Sequence, residues 1–126
     1  MAFHNQLGAE GEKAAKEFLI KQGLTIRETN WRLNRLEIDI VAQSPGQMLH
    51  IVEVKTRSSD AHFDPMRSIT SAKQRNLVNA ANGYMRYYRL QMQVQYDVII
   101  LIGNALSGFR LEYYPNAFYP KLRTYR

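Results

Sequence analysis

Read for hydrophobic period alone, the chain opens on a helix. Over about Asn5 to Gln22, Ala14, Ala15, Phe18 and Leu19 recur at helical spacing. Gly23 follows where a C-terminal cap would sit. The period then shortens to two. Leu24–Thr29, Leu36–Ala42 and Met48–Lys55 read as strands, and the turn residues Ser44 to Gln47 predict that the second and third form an antiparallel hairpin. Thr56–Arg67 carries Ser, Asp and Pro and reads as a loop. Ser68 is the expected N-cap of a second helix reaching about Tyr88, with Ile69, Ala72, Leu77, Ala80, Ala81, Tyr84 and Tyr88 on its apolar side. Val94–Ile102 is apolar enough for a central strand. After Ser107-Gly108, Phe109–Tyr114 reads as an edge strand, and the Tyr- and Arg-rich tail from about Pro115 is expected to be loosely held. Helix, three strands, helix, two strands predicts an α/β sandwich around a mixed sheet, in a single domain over residues 1–126.

Composition narrows the function classes. The absence of cysteine excludes disulfides, thiolate metal sites and thiol nucleophiles, and fits a reducing, cytoplasmic compartment. The first residues lack the charged and apolar regions of a signal peptide. No apolar run approaches the roughly 20 residues of a membrane span, so no membrane partner is expected. The net charge of +6 suits a polyanionic partner, because Lys and Arg release counterions from phosphate backbones.

Two predicted strands carry charge in their middles. Strict alternation puts Ile38 and Ile40 on one face, and Glu37, Asp39 and Val41 on the other. In the partner strand, Val52 and Val54 go one way, and Ile51, Glu53 and Lys55 the other. The hairpin makes the strands neighbours, and cross-strand partners lie about 5 Å apart at Cβ. Asp39 and Glu53 would then repel unless a cation sits between them, and a hard ion such as Mg²⁺ takes oxygen ligands and keeps several waters. Lys55 would point at the same spot, to hold a metal-bound water or steady a phosphate oxygen. The alternative is a solvated face, with Asp39 or Glu53 paired to Lys55. Glu12 shares a helical stripe with Gly8, Ala15 and Leu19. It is either a further metal ligand or the partner of Lys16 or Arg27. Asp97 interrupts an apolar strand, either as a buried acid paired with an Arg or a backbone amide or with a role near the site. His4, His50 and His62 show no ligand spacing, and His50 reads as an ordinary strand residue.

Glu12, Glu37-Ile38-Asp39, Glu53-Val54-Lys55 and the helix opening Ile69-Thr70-Ser71-Ala72-Lys73, in that order, resemble the PD-(D/E)xK nuclease superfamily. More narrowly, GAEGEKAAKEFLIKQG, NWRLNRLEIDIVA, VEVKTR, ITSAKQRNLVNAANGYM and YDVIIL are similar to the YraN-like family of small bacterial proteins, over about Gly8 to Ile102. The resemblance implies the restriction endonuclease-like fold, shared with archaeal Holliday-junction resolvases and the tRNA endonuclease-like group. It implies Asp39, Glu53 and the Val54 carbonyl as ligands of Mg²⁺ or Mn²⁺, Lys55 as the lysine that activates or positions water, and Glu12 as the helical acid of the resolvases. Two departures stand out. Arg35 and Leu36 occupy the positions where the family usually has a glycine before the acidic run, and Val78 replaces the tyrosine of a Gln-x-x-x-Tyr pattern.

The expected activity is hydrolysis of phosphodiester bonds, in DNA ahead of RNA and including branched structures. Arg32, Arg35, Arg57, Arg67, Lys73, Gln74 and Arg75 lie in segments expected to border the site, as candidate nucleic-acid contacts. Trp31 is either a base-stacking platform or core packing. The resolvase likeness also implies a homodimer. A different class remains open: a non-cleaving nucleic-acid-binding or adaptor module on the same fold, or an acidic cluster that is only a structural metal site or salt-bridge network.

Overall fold

The computed structural model describes residues 2–58, 69–104 and 106–120. Its elements follow the predicted order: α1 (Ala2–Lys21), β1 (Thr25–Leu33), β2 (Leu36–Gln43), β3 (Met48–Arg57), α2 (Ser71–Tyr87), β4 (Gln93–Asn104) and β5 (Gly108–Phe118). The five strands form one mixed sheet in chain order. β1–β2, β2–β3 and β4–β5 are antiparallel, while β3 and β4 are parallel, joined through α2. A parallel pair needs such a crossover, because a tight turn cannot reverse the chain twice.

Each face of the sheet has its own core. On one, Leu77, Ala80, Ala81 and Tyr84 of α2 pack on Ile38, Val41, Leu49, Ile51, Val98 and Ile100. On the other, Ala15 and Leu19 of α1 pack on Ile40, Ala42, Val52, Ile99 and Leu101. β3 and β4 thus carry apolar residues on both faces, which explains why their sequences read as near-continuous hydrophobic runs. Burying each large aliphatic side chain contributes roughly 1.5–3 kcal/mol.

Several boundaries differ from the sequence expectation. The N-cap of α2 is Thr70, whose hydroxyl accepts from the Lys73 amide at 3.1 Å. Ser68, expected there, lies outside the described residues, as do Arg67 and His62. Ser and Thr both make good caps, so composition alone could not choose between them. Ala72 and Tyr88 are exposed rather than on the buried stripe. β5 continues through Pro115 to Phe118, which is buried and stacks on Tyr96 with ring centroids 4.9 Å apart. An edge strand tolerates proline, since one side of its backbone needs no ladder partner. The remaining tail, residues 121–126, lies outside the described residues.

Candidate active site

The site begins where β2 leaves β3. Their ladder runs from Gln43–Leu49 to Ile40–Val52 and stops. The β1–β2 ladder continues past that level to Leu33–Leu36, so the two strands diverge from β3 together. Alternation in β2 breaks at the same place. Ile40 belongs to the α1-side core and Ile38 to the α2-side core, contrary to the expectation that they share a face. The matching irregularity in β1 is Asn30, whose φ of 51° puts it in the left-handed region between the Thr29–Ile40 and Trp31–Ile38 pairs.

Asp39 stands at this break. It has no ladder partner in β3; instead its Oδ2 accepts from the Val54 amide at 2.8 Å. The carboxylate takes the place of a ladder carbonyl. In an antiparallel strand the N–H and C=O of one residue point the same way, so the Val54 carbonyl also faces the gap. Asp39 and Glu53 are therefore near one another, as expected, but across a gap rather than as ladder partners. Burial pushes the Asp39 carboxyl up to about 7, and the neighbouring Glu53 charge pushes further in that direction. The Val54 amide and Lys73 act against the rise, and Glu37 adds to it.

Glu53 is only 4% exposed. Ile51 lies in the α2-side core and Val52 in the α1-side core, so alternation turns Glu53 towards α2. There its Oε2 meets two ammonium groups, Lys55 Nζ at 3.3 Å and Lys73 Nζ at 3.2 Å. A buried carboxylate is tolerated only with such partners. Lys55 thus does pair with Glu53, as the solvated-face alternative required, but the pair is largely buried.

α1 supplies the opposite wall. Gly11 is buried, and a Cβ there would stand 2.7 Å from the Thr56 hydroxyl and 3.3 Å from Leu101 Cδ1. Glycine lets the helix come that close to β3, and the next residue, Glu12, reaches a cleft of about 370 Å³ lined also by Gly8, Ala9, Asn30, Asp39, Val54 and Thr56. Glu12 Oε1 accepts from Asn30 Nδ2 at 3.0 Å. Arg27, one expected partner of Glu12, instead donates to the Tyr84 hydroxyl at 3.0 Å and to Gln43 Oε1 at 2.8 Å.

Among the described residues, no three His, Asp or Glu side chains converge on one point as a metal cage. The oxygen groups of this neighbourhood are the Asp39 carboxylate, the Glu53 carboxylate turned towards α2, and the Val54 main-chain carbonyl. That set fits Mg²⁺ or Mn²⁺, since Mg²⁺ in particular is held by one or two carboxylates and retains waters.

The predicted nucleic-acid contacts fare unevenly. Arg35 and Arg75 are exposed. Arg32 is exposed but ion-paired to Glu37 at 2.8 Å. Arg57 donates to its neighbouring Thr56 carbonyl at 3.0 Å. Gln74 donates to the Ile69 carbonyl at 3.2 Å, so its amide serves the start of α2. Trp31 packs edge-on against Tyr84, with centroids 5.2 Å apart.

Sequence reasoning missed one buried group. His50, read as an ordinary strand residue, places Nδ1 2.8 Å from Asp97 Oδ2. Asp97 also accepts from Tyr113, Gln95 and the Asn116 amide. Of the two expected partners, arginine or a backbone amide, the amide is there, and His50 joins it. Burial alone would raise the Asp97 carboxyl, but these donors together hold it below its ordinary value. The signal was available, in that His50 and Asp97 both interrupt apolar strands, but their parallel pairing cannot be read from either strand alone. The cluster lies about 13 Å along β3 from Val54, at 3.3 Å per residue.

Residues 11–101 match the Uncharacterised protein family UPF0102. The chain belongs to this family. The matched span contains Glu12, Asp39, Glu53, Lys55 and Lys73. A UPF0102 protein of Bacteroides thetaiotaomicron is 40% identical over 122 residues, covering 97% of this chain and 99% of its own. One from Bacteroides fragilis is 42% identical with the same coverage. Another, from Flavobacterium psychrophilum, is 43% identical over 119 residues, covering 94% of this chain and 98% of its own. Among the described residues of this UPF0102 protein, no helix is long and apolar enough to cross a membrane.

Proposed function

We propose that this UPF0102 protein is a metal-dependent nuclease of the PD-(D/E)xK, restriction endonuclease-like type. The carrying observation is the gap between β2 and β3. There Asp39 replaces a ladder carbonyl, and the buried Glu53 lies close enough to help raise its carboxyl to about 7. Such a pair calls for a cation. Asp39, Glu53 and the Val54 carbonyl would hold Mg²⁺ or Mn²⁺, with Glu12 as a further ligand from the cleft wall. When bound, such an ion makes water a better nucleophile and offsets charge on the phosphate.

The chain's own part is positioning. Lys55 orients the attacking water and steadies a phosphate oxygen, while Asp39 and Val54 keep the gap open. Arg35, Arg57 and Arg75 hold the backbone without reading sequence. The same proposal takes DNA ahead of RNA, branched substrates among them, and a homodimer, as the resemblance to archaeal resolvases would imply. A cytoplasmic setting fits a chain without cysteine.

A second reading has its own support. Two lysines already neutralise Glu53, so the same residues could serve a binding module that never cuts. Cleavage assays separate the two. Wild type and Glu53→Ala are incubated with single-stranded, linear, flapped and four-way-junction DNA and with RNA, in Mg²⁺, Mn²⁺ or EDTA. The nuclease reading expects cutting that needs metal and is lost in Glu53→Ala. Salt-sensitive binding with no cutting of any substrate would favour the binding module.

A further inference from the structure

Glu53 Oε2 carries more positive charge than one carboxylate needs. Lys55 is the nearer in sequence, two residues along β3, and its side chain is 22% exposed. Lys73 reaches in from the first turn of α2, and its side chain is 42% exposed. A cation at that end of a helix faces the positive pole of the backbone dipole, and the first turn holds no acid to compensate. α2 therefore does not favour Lys73; the acids of the sheet do. Its ammonium lies against Glu53 and is felt by Asp39.

The Glu53 carboxylate faces Lys55 and Lys73, with the Asp39 carboxyl beside it. A divalent cation between the carboxylates adds two positive charges, and an incoming phosphodiester returns one negative charge. One lysine then lacks its carboxylate and has a phosphate oxygen to turn to. Lys55 stands on a strand whose backbone is paired with β4, and its side chain is 22% exposed. Lys73 is the more exposed of the two and extends from a helix end.

We propose that Lys73 is a detachable counter-cation. It neutralises Glu53 while no divalent ion is bound, and it moves to a phosphate of the nucleic acid when one binds. The inference rests on the metal-site reading above and adds an order of events. Ion and lysine compete for Glu53, so removing the lysine strengthens binding of the ion. In the presence of the ion, the same change weakens binding of the nucleic acid. A lysine that merely braces α2 against β3 would, on removal, weaken both.

The test is calorimetric titration of Mn²⁺ into metal-free wild type, Lys73→Met, Lys73→Gln and Lys73→Arg. Thermal melts confirm that each variant is folded. Binding of a fluorescent DNA duplex is then measured with Ca²⁺ present. Lys73→Met and Lys73→Gln should bind Mn²⁺ about fivefold more tightly than wild type, the scale of one partly exposed ion pair. Both should bind the duplex more weakly, and Lys73→Arg should stay near wild type in both measurements. Equal or weaker Mn²⁺ binding by the Met and Gln variants would overturn the inference and leave the metal site standing. No Mn²⁺ binding by wild type would instead remove the metal site itself.

Discussion

Asp39 and Asp97 are carboxylates in one sheet whose surroundings drive them in opposite directions. Asp39 is half-buried beside Glu53 with one amide donor, and its carboxyl rises to about 7. Asp97 is more deeply buried, but donors from His50, Gln95, Tyr113 and Asn116 outweigh that burial and lower it. The number of donors decides between them. For Asp39 the folded value lies above the unfolded one, so the stability from its protonated form is present below about pH 4. It is lost as pH rises through about 7. In EDTA, Asp39→Asn should therefore gain stability on wild type between pH 5 and pH 8, as measured by urea denaturation. Added Mn²⁺ should stabilise wild type more at pH 8 than at pH 5, because a ligand carboxylate must lose its proton. Asp97 works the other way: its contribution is present above its unfolded value and is lost in acid. Asp97→Ala would strand several buried donors, and denaturation should show a loss of about 3 kcal/mol. Among the described residues His50 Nε2 meets no hydrogen-bond partner, so that region has little polar capacity to spare.

At the scale of elements, the hairpin β2–β3 and the approach of α1 make the cleft. Every strand and both helices were legible from hydrophobic period, since the periods of 2 and 3.6 are distinct in this chain. The divergence at Asp39 was not legible. An alternation rule assumes an unbroken ladder, and it put Ile38 and Ile40 on one face; left-handed Asn30, on a neighbouring strand, marks where that assumption fails. Gly11 is equally silent in sequence, because nothing in its neighbours tells that Thr56 will stand opposite. Gly11→Val should push α1 away from β3, costing about 1–3 kcal/mol in a denaturant titration. It should also weaken Mn²⁺ binding, by withdrawing Glu12, while leaving the His50–Asp97 cluster intact.

For the whole molecule, the sequence named the candidate residues and their order, but not on which side of the sheet each would stand. Glu53 and Lys55 meet Lys73 on the α2 side, whereas Glu12, Asn30, Val54 and Thr56 line the cleft on the α1 side. Asp39 joins the two, bonded to Val54 and coupled to Glu53. A +6 chain with Arg35 and Arg75 exposed should bind nucleic acid with affinity that falls steeply as salt rises. Arg35→Ala should reduce the slope of log affinity against log salt by about 1, a change read from anisotropy titrations at several salt concentrations. An equal slope would remove Arg35 from the contact surface. The most direct measurement of the metal site is an anomalous difference map from a crystal soaked in Mn²⁺. The predicted result is a peak in the gap between Asp39 and Glu53, within ligand distance of the Val54 carbonyl and absent from Glu53→Ala crystals. An empty gap at Mn²⁺ concentrations that saturate the protein in solution, or a peak held by other residues, would contradict it.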